Sequence, residues 1–144
     1  MTPELNPRAV DKLEKIRDGR LPYPPMWETI PISLVDYEPG RIRMSTRADE
    51  RHVNALGTVH GGFVATVLDT ALGLTVFISV DADARHTTVD LAVKIVRPIP
   101  LDTELVVETS LVHVSRSVGV SQGVLRDAAG VVYAHGTTTC HIKR

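Results

Sequence analysis

Residues Gly61 to Val80 form a run of twenty residues that carries one charge, Asp69. No other feature of the 144-residue chain narrows the fold as much. The run is too long for a strand and predicts a helix over Gly61 to Phe77. Its length also matches a membrane span. Asp69 near its middle, beside Thr66, Thr70, Thr75 and Ser79, speaks against that reading, as does the absence of basic or Trp/Tyr flanks. Strand-like segments downstream need an apolar cover, so a buried helix with no membrane partner fits better.

Four such segments follow: His86 to Val96, Glu104 to Val114, Ser117 to Arg126 and Val131 to Ile142. Pro98, Pro100, Ser115-Arg116 and Asp127 to Gly130 punctuate them. Upstream, Ile30, Ile32 and Leu34, then Ile42, Met44 and Thr46, alternate with other residues on either side of the turn Glu38-Pro-Gly40. That pattern predicts a hairpin with one buried face. Pro7 to Asp18 carries Val10, Leu13 and Ile16 at helical spacing, with Gly19 as its stop. Leu21-Pro-Tyr-Pro-Pro25 reads as an extended connector.

Short connections between consecutive strands imply an antiparallel sheet, and one long helix can cover its concave face. The expected class is α+β: about six strands wrapped round one central helix, with an extra N-terminal helix. Residues 1–26 would hold that helix and its connector, and 27–144 a single domain. One sheet face stays open in so short a chain and is expected to close against a second subunit.

Composition removes several functions. Hydrophobic residues make up 43% of the chain, too many for a disordered protein. Sixteen basic against seventeen acidic residues leave a formal charge of −1, which argues against a nucleic-acid partner. The single cysteine, Cys140, excludes a disulfide framework or a multi-cysteine metal site and reads as a small buried hydrophobe. His52 and His60 are eight apart, and His135 and His141 six apart, which is no metal-ligand spacing. Met1 to Arg20 is polar, without the apolar core of a signal peptide, so a cytoplasmic protein is expected.

Chemistry concentrates in Asn54 to Asp69. Gly61-Gly62 opens the long helix, where unpaired N–H groups and the helix dipole attract developing negative charge. Without a Cβ, a ligand oxygen can approach them, the geometry of an oxyanion hole. The same pair also serves simply as a tight start to a helix. Asp69, in a helix otherwise apolar, must be paired, hydrogen-bonded or functional.

Taken together, His60-Gly61-Gly62, a carboxylate nine residues after the histidine and Asn54 fifteen before the carboxylate resemble the hotdog-fold acyl-CoA thioesterases. The likeness is to the branch of phenylacetate-pathway and 4-hydroxybenzoyl-CoA (Arthrobacter-type) thioesterases. It extends to Thr88-Val-Asp90, Arg97-Pro98, Val114-Ser-Arg-Ser117 and Ala134-His-Gly-Thr137, covering the chain from Trp27 onward. The resemblance implies Asp69 as catalytic nucleophile or general base, and the Gly61 N–H as donor to the thioester oxygen. Asn54 would face Asp69 across a subunit interface. His60 would fix the loop or polarise the carbonyl, and Thr88 would hold the water or the carboxylate. Gly62, Val89, Arg97, Arg116 and Ser117 would contact the substrate and its coenzyme portion. Where other members carry a hydroxyl one turn after the carboxylate, Gly73 stands here, which shifts that role towards Thr88.

The implied activity is hydrolysis of an aryl- or short- to medium-chain acyl-CoA by a dimer or dimer of dimers. No cofactor is implied beyond the coenzyme A of the substrate. Two alternatives stay open: a hotdog enoyl-CoA hydratase or dehydratase, and a non-catalytic acyl-CoA-binding module. No Gly-x-Ser-x-Gly elbow supports a serine hydrolase.

Overall fold

Asn6 begins the first helix by capping it: its side chain accepts the N–H groups of Arg8 and Ala9, and Pro7 takes the first helical position. A computed structural model describes residues 3–144. The helices are α1 (Pro7–Arg17), α2 (Pro25–Thr29) and α3 (Gly61–Phe77). The strands are β1 (Ile32–Glu38), β2 (Arg41–Thr46), β3 (Arg85–Ile95), β4 (Leu105–Val114), β5 (Val118–Arg126) and β6 (Val132–Lys143). They form one antiparallel sheet in the order β1-β2-β4-β5-β6-β3.

This is the expected α+β arrangement: six antiparallel strands, one long helix and an N-terminal helix. One local expectation needs correction. The Pro-rich connector ends in α2, because Pro25 fits the first helical position and Trp27 gains a buried site there. β1 also runs on to Glu38, past a bulge between Leu34 and Asp36.

The core lies between α3 and the sheet. Val64, Val67, Leu68, Ala71 and Leu72 of α3 are fully buried, as are Met44, Leu105, Val107 and Leu125 of the strands. Each such Val, Leu or Met side chain contributes about 1.5–3 kcal/mol through removal from water, and Ala71 less. Buried hydroxyls tie helix to sheet. Ser121 donates to the Leu72 carbonyl, and Thr75 bonds Thr109, which donates to the Ile42 carbonyl. Cys140 is buried in the sheet and free. Among the described residues, no helix is long and apolar enough to cross a membrane.

β3 is the sheet's outer strand, paired only with β6 within the chain. Most of its eleven residues are exposed, Val89 at 64%. It runs alongside α3 in the opposite direction, so the strand's end lies by the helix start and its beginning by the helix end.

Candidate active site

His60 caps α3: its Nδ1 accepts the Gly62 N–H at 2.8 Å. Gly62 must be glycine for this, because a Cβ there would lie 2.8 Å from that Nδ1. His60 thus fixes the turn, and the Gly62 N–H is not free for a ligand. The Gly61 N–H, by contrast, has no acceptor among the described residues, and Gly61 is exposed. A Cβ on Gly61 would touch only Ile95 Cδ1, at 3.7 Å, so its own fold does not require a glycine there.

The loop before α3 is held at several points. Asn54 Oδ1 accepts the N–H groups of Leu56 and Thr58, while its Nδ2 donates to Thr58 Oγ1. Val53 bridges Val59, and the His60 N–H donates to the His52 carbonyl. Buried His52 accepts the Asp49 N–H on Nδ1 and donates from Nε2 to the Thr29 carbonyl. Sequence reasoning missed this anchor; the signal was a histidine amid polar neighbours just before the motif. Asn54 shapes its own loop and makes no contact with Asp69 in the same chain. A groove of about 500 Å³ beside this loop is lined by Ile30, Val53, Phe63 and Gly62 among others.

Asp69 lies two turns further along α3, facing β3. Thr88 Oγ1 donates to Asp69 Oδ1 at 3.3 Å, so the structure brings these two expected site residues together. The carboxylate is half-buried in the single chain, not enclosed as the apolar run suggested, because β3 is an outer strand with nothing beyond it. Thr88 also stands 3.9 Å from Cys140 Sγ, whose thiol burial holds above the usual cysteine range. Exposed Val89 is the extra residue of a bulge between Thr88 and Asp90.

The two expected coenzyme cations are not brought together. Arg97 follows the end of β3, whereas Arg116 and Ser117 lie in the β4–β5 turn. That turn is level with the start of β3, since Val118 pairs with His141 and His141 with Thr87. Within one chain the two arginines are separated by roughly the length of β3, about 30 Å. All three residues are exposed.

A second groove, of about 740 Å³, crosses the outer face of β1, β2, β4 and β5 as far as His135 of β6, and α3 contributes no residue to it. Its charges are paired: Arg43 with Asp36 and Glu108, and Glu108 also with Arg126 beside the groove.

The description of the thioesterase superfamily matches residues 56–134, more than half the chain. The chain belongs to the thioesterase superfamily. This thioesterase-superfamily chain is therefore a thioester hydrolase of hotdog fold, as its motif suggested. It is 27% identical to human acyl-coenzyme A thioesterase 13 over 112 residues, 77% of this chain and 79% of that protein. A phenylacetic acid degradation-related protein from Ralstonia eutropha shares its fold with a TM-score of 0.80 and 23% identity, covering 90% of this chain and 98% of that one. A Streptococcus pneumoniae thioesterase protein solved with coenzyme A does so with a TM-score of 0.71 and 20% identity, covering 78% of this chain and 85% of that one.

Proposed function

We propose that this protein hydrolyses an acyl-CoA thioester, of aryl or short- to medium-chain type, to the free acid and coenzyme A. One observation carries the reading: a single helix holds a Gly61 N–H with no acceptor among the described residues and a Thr88-anchored carboxylate at Asp69. The first suits the oxygen of a thioester carbonyl, the second the proton of an attacking water. The acyl-CoA relatives support the coenzyme.

The two groups cannot serve one carbonyl within one chain. They are eight residues apart on α3, about 12 Å along its axis. A second copy resolves this if the Gly61 N–H of one chain faces Asp69 of the other. Because Gly61 lies by Ile95 and Asp69 by Thr88, a two-fold axis between them would pass near Leu91 and Ala92 of β3. There the exposed strand edge can pair with its own copy. Exposed Val89 and Val96, together with Leu56 at 88%, would gain cover. Asn54 would then come towards Asp69 of the other chain. Arg97 of one chain would approach the Arg116–Ser117 turn of the other, so both could reach one coenzyme. Dimer or dimer of dimers follows from this reading.

In the reaction, water gives a proton to Asp69 while its oxygen bonds the carbonyl carbon. Negative charge on the thioester oxygen is held at the Gly61 N–H and helix dipole. The C–S bond then breaks, and the coenzyme thiolate takes the proton from Asp69. The groove by Phe63 and Ile30 would receive the acyl group.

A panel of acyl-CoAs with a thiol reagent tests the proposal. Free coenzyme A should appear with aryl or short- to medium-chain substrates. Hydration of an enoyl-CoA without thiol release would point to a hydratase, and binding without turnover to a carrier module.

A further inference from the structure

One turn beyond Asp69 on α3, Gly73 is buried yet leaves space above it. A Cβ built on Gly73 would meet one neighbour only, His86 Nε2 at 3.8 Å. The imidazole from β3 therefore occupies the room that a longer side chain on the helix would fill. It is fixed there by Phe77 one turn further on, with ring centroids 5.6 Å apart and planes inclined by 28°. His86 and Thr88 are alternate residues on β3 and face the same way, Thr88 towards Asp69 and His86 towards Gly73. Asp69 and Gly73 are neighbours at i and i+4, so the Nε2 edge and the carboxylate lie on the same side of α3, near enough for the Asp69 charge to act on the ring. Burial disfavours the imidazolium and holds its pKa below the ordinary histidine value, against the pull of the Asp69 charge.

We propose that His86 is a further residue of the hydrolytic site, holding the attacking water against Asp69 through its Nε2 edge. The inference rests on the reading of Asp69 given above. A neutral imidazole has one N–H and one lone pair, so it can hold a water without competing for the proton that Asp69 takes. Phe77 of the same helix takes one face of the ring, and Gly73, having no side chain, leaves the Nε2 edge uncovered. Thr88 steadies the carboxylate from one side and His86 places the water on the other. No covalent step passes through His86: the proton moves from water to Asp69 and on to the departing sulfur.

The test compares His86→Phe, His86→Gln, Gly73→Val and Asp69→Asn in steady-state hydrolysis of the best acyl-CoA. His86→Phe keeps the stack and the volume but loses Nε2. Its kcat should fall by about tenfold to a hundredfold, on the scale of a misplaced reactant, with KM within about twofold. His86→Gln, which restores a polar group there, should recover part of the loss. Gly73→Val, whose branch presses on Nε2 from the helix, should lower kcat with the histidine intact, so the idea stays testable if His86→Phe folds poorly. Wild-type kcat in His86→Phe or Gly73→Val overturns it, as does a rise in KM with kcat retained. Should Asp69→Asn keep full activity, the reading of Asp69 fails too. If only Asp69→Asn is inactive, the role of His86 alone is lost.

Discussion

Thr88 Oγ1 donates a hydrogen bond to Asp69 Oδ1 across 3.3 Å, joining the outer strand β3 to the middle of α3. The bond fixes a carboxylate that solvent can still reach. Asparagine at position 69 keeps an oxygen for Thr88 but can neither take a proton from water nor attack a thioester. Asp69→Asn should therefore lose about two to four orders of magnitude in kcat. Its melting temperature should stay at or slightly above that of the wild type. A folded variant with wild-type turnover would make Asp69 structural.

Thr88 itself separates geometry from chemistry. Thr88→Ser keeps the hydroxyl, whereas Thr88→Val keeps the shape and removes the donor. The valine variant should lose about tenfold in kcat, as expected when a reacting group is free to drift, and the serine variant little. Equal activity of the two would take Thr88 out of the site.

How much of this was legible before the structure differs by element. The length and apolarity of Gly61 to Phe77 and the alternation of the strands already implied one helix on an antiparallel sheet, because periodicity records which faces are buried. The pair Asp69 and Thr88 was legible through the motif. Their environment was not, since exposure of Asp69 depends on β3 being outermost, and strand order leaves no local mark in a sequence. His86 was read only as the beginning of a strand, because its partners Gly73 and Phe77 are set by the register of β3 along α3. Arg97 and Arg116 both read as strand-end cations, and only the topology reveals that they stand at opposite ends of the sheet.

Pairing of β3 with its own copy can be mapped chemically. Cysteines placed singly from Asp90 to Val93 should form interchain disulfides under mild oxidation, while one at Arg85 should not. Cys140 is buried and will not interfere. Light scattering at micromolar concentration should give at least twice the chain mass of 15.7 kDa. A monomer that remains active would refute the two-chain site.

Stability should depend on His86 in the mildly acidic range. Above the ordinary histidine pKa both folded and unfolded chains hold it neutral, so it imposes no penalty. As the pH falls through that value the unfolded chain binds the proton first, because burial lowers the pKa in the folded state. Stability is therefore lost with falling pH until the folded-state value is passed. Asp69, facing it from α3, reduces the loss without reversing its sign. Between pH 7 and pH 5 the melting temperature of the wild type should drop more than that of His86→Gln. Parallel curves would show that His86 titrates alike in both states.

The adjacent glycines should respond in opposite ways to the same methyl group. In Gly62→Ala the new Cβ would fall 2.8 Å from His60 Nδ1, so the cap must open. Loss of a helix cap costs about 1 kcal/mol, and the melting temperature should drop by several degrees. In Gly61→Ala the Cβ meets Ile95 at 3.7 Å, an ordinary contact, and alanine is the better helix former. That variant should fold at least as well as the wild type. Its methyl, however, stands beside the N–H proposed to hold the thioester oxygen, and would keep that oxygen from close approach. Removing one donor of this kind costs about a hundredfold to a thousandfold in kcat, so Gly61→Ala should be stable and nearly inactive. Gly62→Ala should retain more activity per folded molecule. The reverse pattern would mean that Gly61 serves only the turn, and that the thioester oxygen is held elsewhere.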